Sequence, residues 1–87
     1  MASFTYTITD PVGLHARPAA NLARFVGTLG SAVRVGKGGE ARDADAASML
    51  AVMGLGIRTG DTASFTLTGE SDAADAEKLR AFCAQEL

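Results

Sequence analysis

One cysteine, Cys83, is all the chain holds, so no internal disulfide can staple it. No basic, apolar leader opens the sequence either, and the chain is expected to be a reduced, cytoplasmic protein. Long hydrophobic runs are missing. The longest, Met49 to Ile57, is nine residues with two glycines inside it, far short of the roughly 20 that a spanning helix needs. No membrane insertion is expected. Basic charge is scarce, since 8 Lys and Arg against 10 Asp and Glu leave a net charge of -2. That balance argues against nucleic acid as a partner, because phosphate backbones are held by clustered Lys and Arg. Histidine occurs once, at His15, with the single cysteine far along the chain. A metal site is therefore not expected, and no cofactor is implied. Low-complexity tracts and internal repeats are also absent.

What is present suffices for one small domain over residues 1–87, with 47% of residues hydrophobic. Phe4, Tyr6 and Ile8 alternate with Thr5, Thr7 and Thr9, the period of a strand with one wet face. Thr62 to Thr68 alternates again, with Ala63, Phe65 and Leu67 on one side and Thr or Ser on the other. Two strands with the same hydroxyl-lined outer face are expected to be antiparallel neighbours. Ala32 to Gly36 reads as another strand with Val33 and Val35 inward. Gly38-Gly39 then predicts a tight hairpin turn, returning through Glu40 to about Asp43 as a short strand.

Three helices complete the order. Ala16 to about Thr28 carries Ala19, Leu22, Ala23, Phe25 and Val26 at three- and four-residue spacing, with Gly27 and Gly30 to stop it. Ser48 is placed to cap a short second helix. Ser71 to Glu86 opens on Ser71, Asp72 and Asp75 and holds Lys78 and Arg80 later, the charge order a helix dipole favours. Ala73, Ala76, Leu79 and Cys83 form its expected buried stripe. The order β-α-β-β-α-β-α, with every strand apolar on one side, predicts an α+β open-faced sandwich: a four-stranded antiparallel sheet with three helices on one face.

The sequence concentrates its chemistry in Gly13-Leu14-His15-Ala16-Arg17-Pro18-Ala19. Pro18 belongs in a first helical turn, where an N–H has no internal partner. His15 therefore falls at or beside the N-cap, a position normally given to Ser, Thr, Asp or Asn. Free N–H groups and the positive helix end favour an anion there, and the Arg17 guanidinium suits phosphate oxygens. A neutral imidazole nitrogen so placed can attack a phosphoryl donor and form phosphohistidine. Charge distribution agrees: residues 1–43 hold five basic and three acidic groups, residues 44–87 three basic and seven acidic.

This stretch resembles the active-site signature of HPr, the histidine-containing phosphocarrier of the bacterial phosphoenolpyruvate:sugar phosphotransferase system. The run Ser48-Met49-Leu50-Ala51-Val52-Met53-Gly54-Leu55-Gly56 is similar to the family's second segment. The resemblance implies the strand order 1-4-2-3. It implies phosphorylation of His15 on Nδ1 by phospho-enzyme I, assistance from Arg17, phosphate binding by the Ala16 and Arg17 backbone, and delivery to IIA domains. The protein would be a stoichiometric carrier and not an enzyme, and a monomer. Met49, Leu50 and Met53 would dock partners, and Arg24 is a further candidate contact. Ser48 matches a serine that HPr kinase/phosphorylase modifies in some bacteria, although Ala47, Asp43 and Asp45 nearby weaken that match. Two alternatives stay open: a carrier for a nitrogen-related or dihydroxyacetone-kinase branch, or a binding module on the same fold in which His15 is incidental.

Overall fold

A computed structural model describes residues 1–87, and the chain runs β1 (Ala2–Thr7), α1 (Ala16–Val26), β2 (Ala32–Lys37), β3 (Asp43–Asp45), α2 (Met49–Met53), β4 (Thr62–Thr68), α3 (Asp72–Glu86). The four strands form one antiparallel sheet in the order β1-β4-β2-β3. This is the expected α+β open-faced sandwich. The expected pairing of the two hydroxyl-lined strands, β1 with β4, is present: Thr5 lies opposite Ser64, and Thr7 lies opposite Thr62 with their Oγ1 atoms 3.5 Å apart.

β4 is the hinge of the architecture, because it pairs with β1 on one edge and β2 on the other. Its inward residues Ala63, Phe65 and Leu67 are fully buried, and Phe65 stacks on Phe4 with centroids 5.1 Å apart. Val33 and Val35 from β2, Leu22 from α1, Val52 from α2 and Leu79 and Cys83 from α3 close the core over that sheet face. Burying a side chain of this size contributes roughly 1.5–3 kcal/mol. Burial also pushes the Cys83 thiol up to about 12, which leaves it un-ionised and unreactive.

Three local expectations are corrected. The short return strand lies at Asp43–Asp45, later than Glu40 to Asp43. Ala44 and Ala46 are the small apolar side chains that can face inward, so the exposed Glu40-Ala41-Arg42 stretch stays in the connection and Gly36 pairs with Asp43. Ala73 is exposed, and Asp75 is buried instead. Asp75 Oδ2 accepts hydrogen bonds from Ser31 Oγ at 2.6 Å and Ser71 Oγ at 2.9 Å. Ser71 thus turns its hydroxyl to Asp75 and makes no side-chain cap bond. The Ser31 hydrogen bond, then that of Ser71, holds the Asp75 carboxyl below the usual carboxylate range.

Candidate functional site

The loop after β1 is built to deliver His15. Thr9 and Asp10 donate their N–H groups to the Leu87 carbonyl at 2.7 and 2.8 Å, tying the loop to the end of α3. Asp10 Oδ1 accepts from Val12 N at 2.9 Å, and Gly13 N donates to the Asp10 carbonyl at 3.0 Å, so the aspartate folds the turn around itself. Thr59 Oγ1 also donates to the Asp10 carbonyl. Gly13 has φ +84°, in the left-handed region, and its Cα faces the backbone of Ile57 to Thr59. Leu14 N then donates to Ile57 O at 3.1 Å.

His15 emerges with extended φ and ψ of -94° and -165° at the N-cap of α1, as the sequence predicts, and makes no side-chain cap bond. The imidazole is neither buried nor loose, with 34% of its side chain exposed. Nδ1 takes part in no hydrogen bond. The N–H groups of Ala16 and Arg17 have no partner in the protein; the first α1 donor that finds one inside the turn is Ala19, bonded to His15 O at 2.9 Å. Pro18, buried in that first turn, has no N–H to satisfy. Two open backbone donors and the positive end of the helix dipole therefore lie at the N-terminus that His15 caps, an arrangement that favours a phosphoryl anion.

Arg17 is 70% exposed, and its Nη2 lies 3.8 Å from Asp10 Oδ2. The other oxygen, Asp10 Oδ1, lies 3.7 Å from His15 Nε2. Sequence reading assigns Asp10 no part in the site. The available signal was its five-residue spacing from His15 across a Pro-Val-Gly turn, which folds the chain back on itself.

The remaining candidates fall in separate places. Ser48 caps α2, accepting from Ala51 N at 3.4 Å. It opens on a shallow depression of about 520 Å³ shared with Arg34, Arg42, Asp43 and Asp45. Ser48 therefore borders charges of both signs as well as α2. Arg42 donates from Nη2 to Gly54 O at 3.1 Å, and Arg34 pairs with Asp43 at 2.7 Å. On α2 the Leu50 side chain is 75% exposed and Met53 38%, Met49 is half-buried, and Val52 is core. α2 packs on α1, which brings this apolar surface alongside the helix that His15 begins. Arg24 is exposed in the last turn of α1, about 13 Å along the axis from His15 at 1.5 Å per residue. It borders a groove floored by Phe25 and Phe82, whose rings stack with centroids 4.6 Å apart. No cluster of three His, Cys, Asp or Glu is placed to hold a metal ion, and no helix is long and apolar enough to cross a membrane.

The fold is an open-faced sandwich with its one histidine at the N-cap of α1, partly exposed beside unpaired amides. The family model described as the PTS HPr component phosphorylation site matches residues 2–85. The chain belongs to the HPr family of phosphocarrier proteins. It is 40% identical over 72 residues to the phosphocarrier protein HPr of Haloferax volcanii, covering 83% of this chain and 79% of that one. The corresponding figures for HPr of Lysinibacillus sphaericus are 35% over 72 residues, 83% and 80%. A multiphosphoryl transfer protein of Xanthomonas campestris is 37% identical over 78 residues, 90% of this chain but only 9% of that much longer protein. Among solved structures, an HPr from Thermoanaerobacter tengcongensis superposes with a TM-score of 0.89 at 26% identity, covering 99% of this chain and 94% of that one.

Proposed function

We propose that this chain carries a phosphoryl group on Nδ1 of His15, accepting it from phospho-enzyme I in the cytoplasm and passing it to IIA domains of a sugar phosphotransferase system. The observation that carries the reading is the imidazole at the N-cap of α1 with Nδ1 unengaged and the Ala16 and Arg17 N–H groups open beside it. In the transfer, the Nδ1 lone pair forms a bond to phosphorus as the donor's N–P bond breaks. The three phosphoryl oxygens then face the two free amides and the Arg17 guanidinium. Return of the group reverses these steps on an acceptor histidine. The carrier is consumed and regenerated, and catalysis belongs to its partners.

Docking follows from the exposed side chains of α2. Leu50 and Met53, with Met49 half-buried beside them, form an apolar patch suited to a partner surface. Ser48 adjoins that patch, so a phosphate on it would add about -2 charge where partners dock. A kinase acting there would switch docking off without refolding the domain.

The test is incubation with phosphoenolpyruvate and enzyme I. Wild type is expected to gain one acid-labile, base-stable phosphate and His15→Ala none. An unlabelled wild type would favour a binding module on the same fold, in which the α2 patch acts and His15 does not.

A further inference from the structure

We propose that Asp10 selects which nitrogen of His15 is phosphorylated, by standing against Nε2 and leaving Nδ1 as the open nucleophile. The proposal rests on the phosphocarrier reading above and assigns the regiochemistry of that site to a positioning residue.

Asp10 is not a free surface charge. Its side chain is only 12% exposed although Pro11 and Val12 beside it are exposed. Three of its four polar groups are hydrogen-bonded: the N–H donates to Leu87 O at 2.8 Å, the carbonyl accepts from Gly13 N at 3.0 Å and from Thr59 Oγ1, and Oδ1 accepts from Val12 N at 2.9 Å. The carboxylate is thereby aimed, with Oδ1 3.7 Å from His15 Nε2 and Oδ2 3.8 Å from Arg17 Nη2. Both distances exceed a hydrogen bond, and contacts of this kind commonly tighten in the reacting complex.

Three consequences follow from that aim. A phosphoryl anion approaching Nε2 meets a carboxylate, and like charges at this range oppose each other. A proton on Nε2 is favoured by the negative Oδ1 3.7 Å away, which leaves the ring's lone pair on Nδ1. When the Nδ1–P bond forms, the ring keeps its Nε2 proton and becomes cationic, and the adjacent carboxylate offsets that charge. Arg17 lies near the same carboxylate, free to turn to the phosphoryl oxygens.

Phosphoramidate, a donor too small to need a docking surface, isolates the chemistry. The His15 lone pair forms an N–P bond, the donor's own N–P bond breaks, and ammonia leaves. With the intact chain and phosphorus NMR to distinguish the isomers, wild type is expected to give the Nδ1 product alone. Asp10→Asn retains an oxygen that can accept from Val12 N but lacks the charge. It is expected to give both isomers, with Nδ1 phosphorylation slowed about fivefold, the rate equivalent of one partly exposed ion pair. Asp10→Ser, which closes a similar turn through its hydroxyl, is expected to give the same mixture and serves if the asparagine variant folds poorly. Loosening of the loop alone would slow labelling without changing which nitrogen carries the phosphate. Exclusive Nδ1 product in both variants, at the wild-type rate or slower, overturns the role of Asp10 and leaves the carrier reading intact. Failure of wild type to be labelled while free histidine is labelled overturns both.

Discussion

Replacing Gly13 with alanine tests whether the loop that delivers His15 is held by close backbone contact. Two costs add. The φ of +84° lies in the left-handed region, where a side chain costs about 1–2 kcal/mol. The new Cβ would also stand 2.9 Å from Arg58 Cα and 3.1 Å from Ile57 O, and neither can swing away as a side chain would. Relief requires the Ile57–Thr59 backbone to move, which weakens the Leu14 N to Ile57 O hydrogen bond of 3.1 Å, a loss of about 1 kcal/mol. The sum is about 2–3 kcal/mol. At about 4–8 °C per kcal/mol for a domain of this size, Tm falls by roughly 10–25 °C. Gly39 supplies the control, since its φ is +86° but a Cβ there meets nothing within 4 Å. Gly39→Ala is expected to lose only the backbone part, about 5–15 °C. Thermal unfolding followed by circular dichroism separates the two. Equal losses in the two variants would refute the steric argument, and a loss under about 4 °C in Gly13→Ala would refute the whole estimate.

Other outcomes follow from the same geometry. Arg17→Ala is expected to slow phosphoryl transfer severalfold with Tm unchanged within a few degrees, because that side chain is 70% exposed; rapid-quench labelling alongside a melt checks both. Leu50→Ala, at a side chain 75% exposed, should leave the fold unaltered and raise the concentration of enzyme I needed for half-maximal labelling. Phosphoramidate labelling of that variant should proceed at the wild-type rate. For Asp75, whose carboxyl is held low by Ser31 and Ser71, the stabilisation is complete above the unfolded carboxylate range and is lost as pH falls through the depressed folded value. The Tm gap between wild type and Asp75→Ala should therefore narrow on acidification below about pH 4; a gap constant to pH 2 would contradict the assignment.

Much of this molecule is readable from its sequence because the sheet has one dry face. Period-two alternation of Phe, Val and Leu with Thr and Ser reports directly on that asymmetry, so β1, β2 and β4 and their shared outer face follow from local pattern. The placement of His15 was legible for a similar reason: a proline in a first turn marks a helix start to within a residue. Long-range polar pairing left no such trace. Asp75 looks like a dipole-complementing surface charge, and its burial is made tolerable by Ser71 together with Ser31, 44 residues away. β3 slid toward Asp45 because three residues with a single buried alanine carry almost no periodicity. Asp10 was hidden because a turn aspartate and an aimed carboxylate look identical until the loop closes.

The pairing of β1 with β4 carries a further consequence for how the chain is made. Thr7 and its partner Thr62 are 55 residues apart, so β1 emerges from the ribosome roughly 3–11 s before its partner at about 5–20 residues/s. During that interval β1 presents Phe4 and an unpaired edge to the cell. Its alternating threonines and serines keep the other side of the nascent strand hydrophilic, which favours waiting in solution over aggregation until β4 arrives.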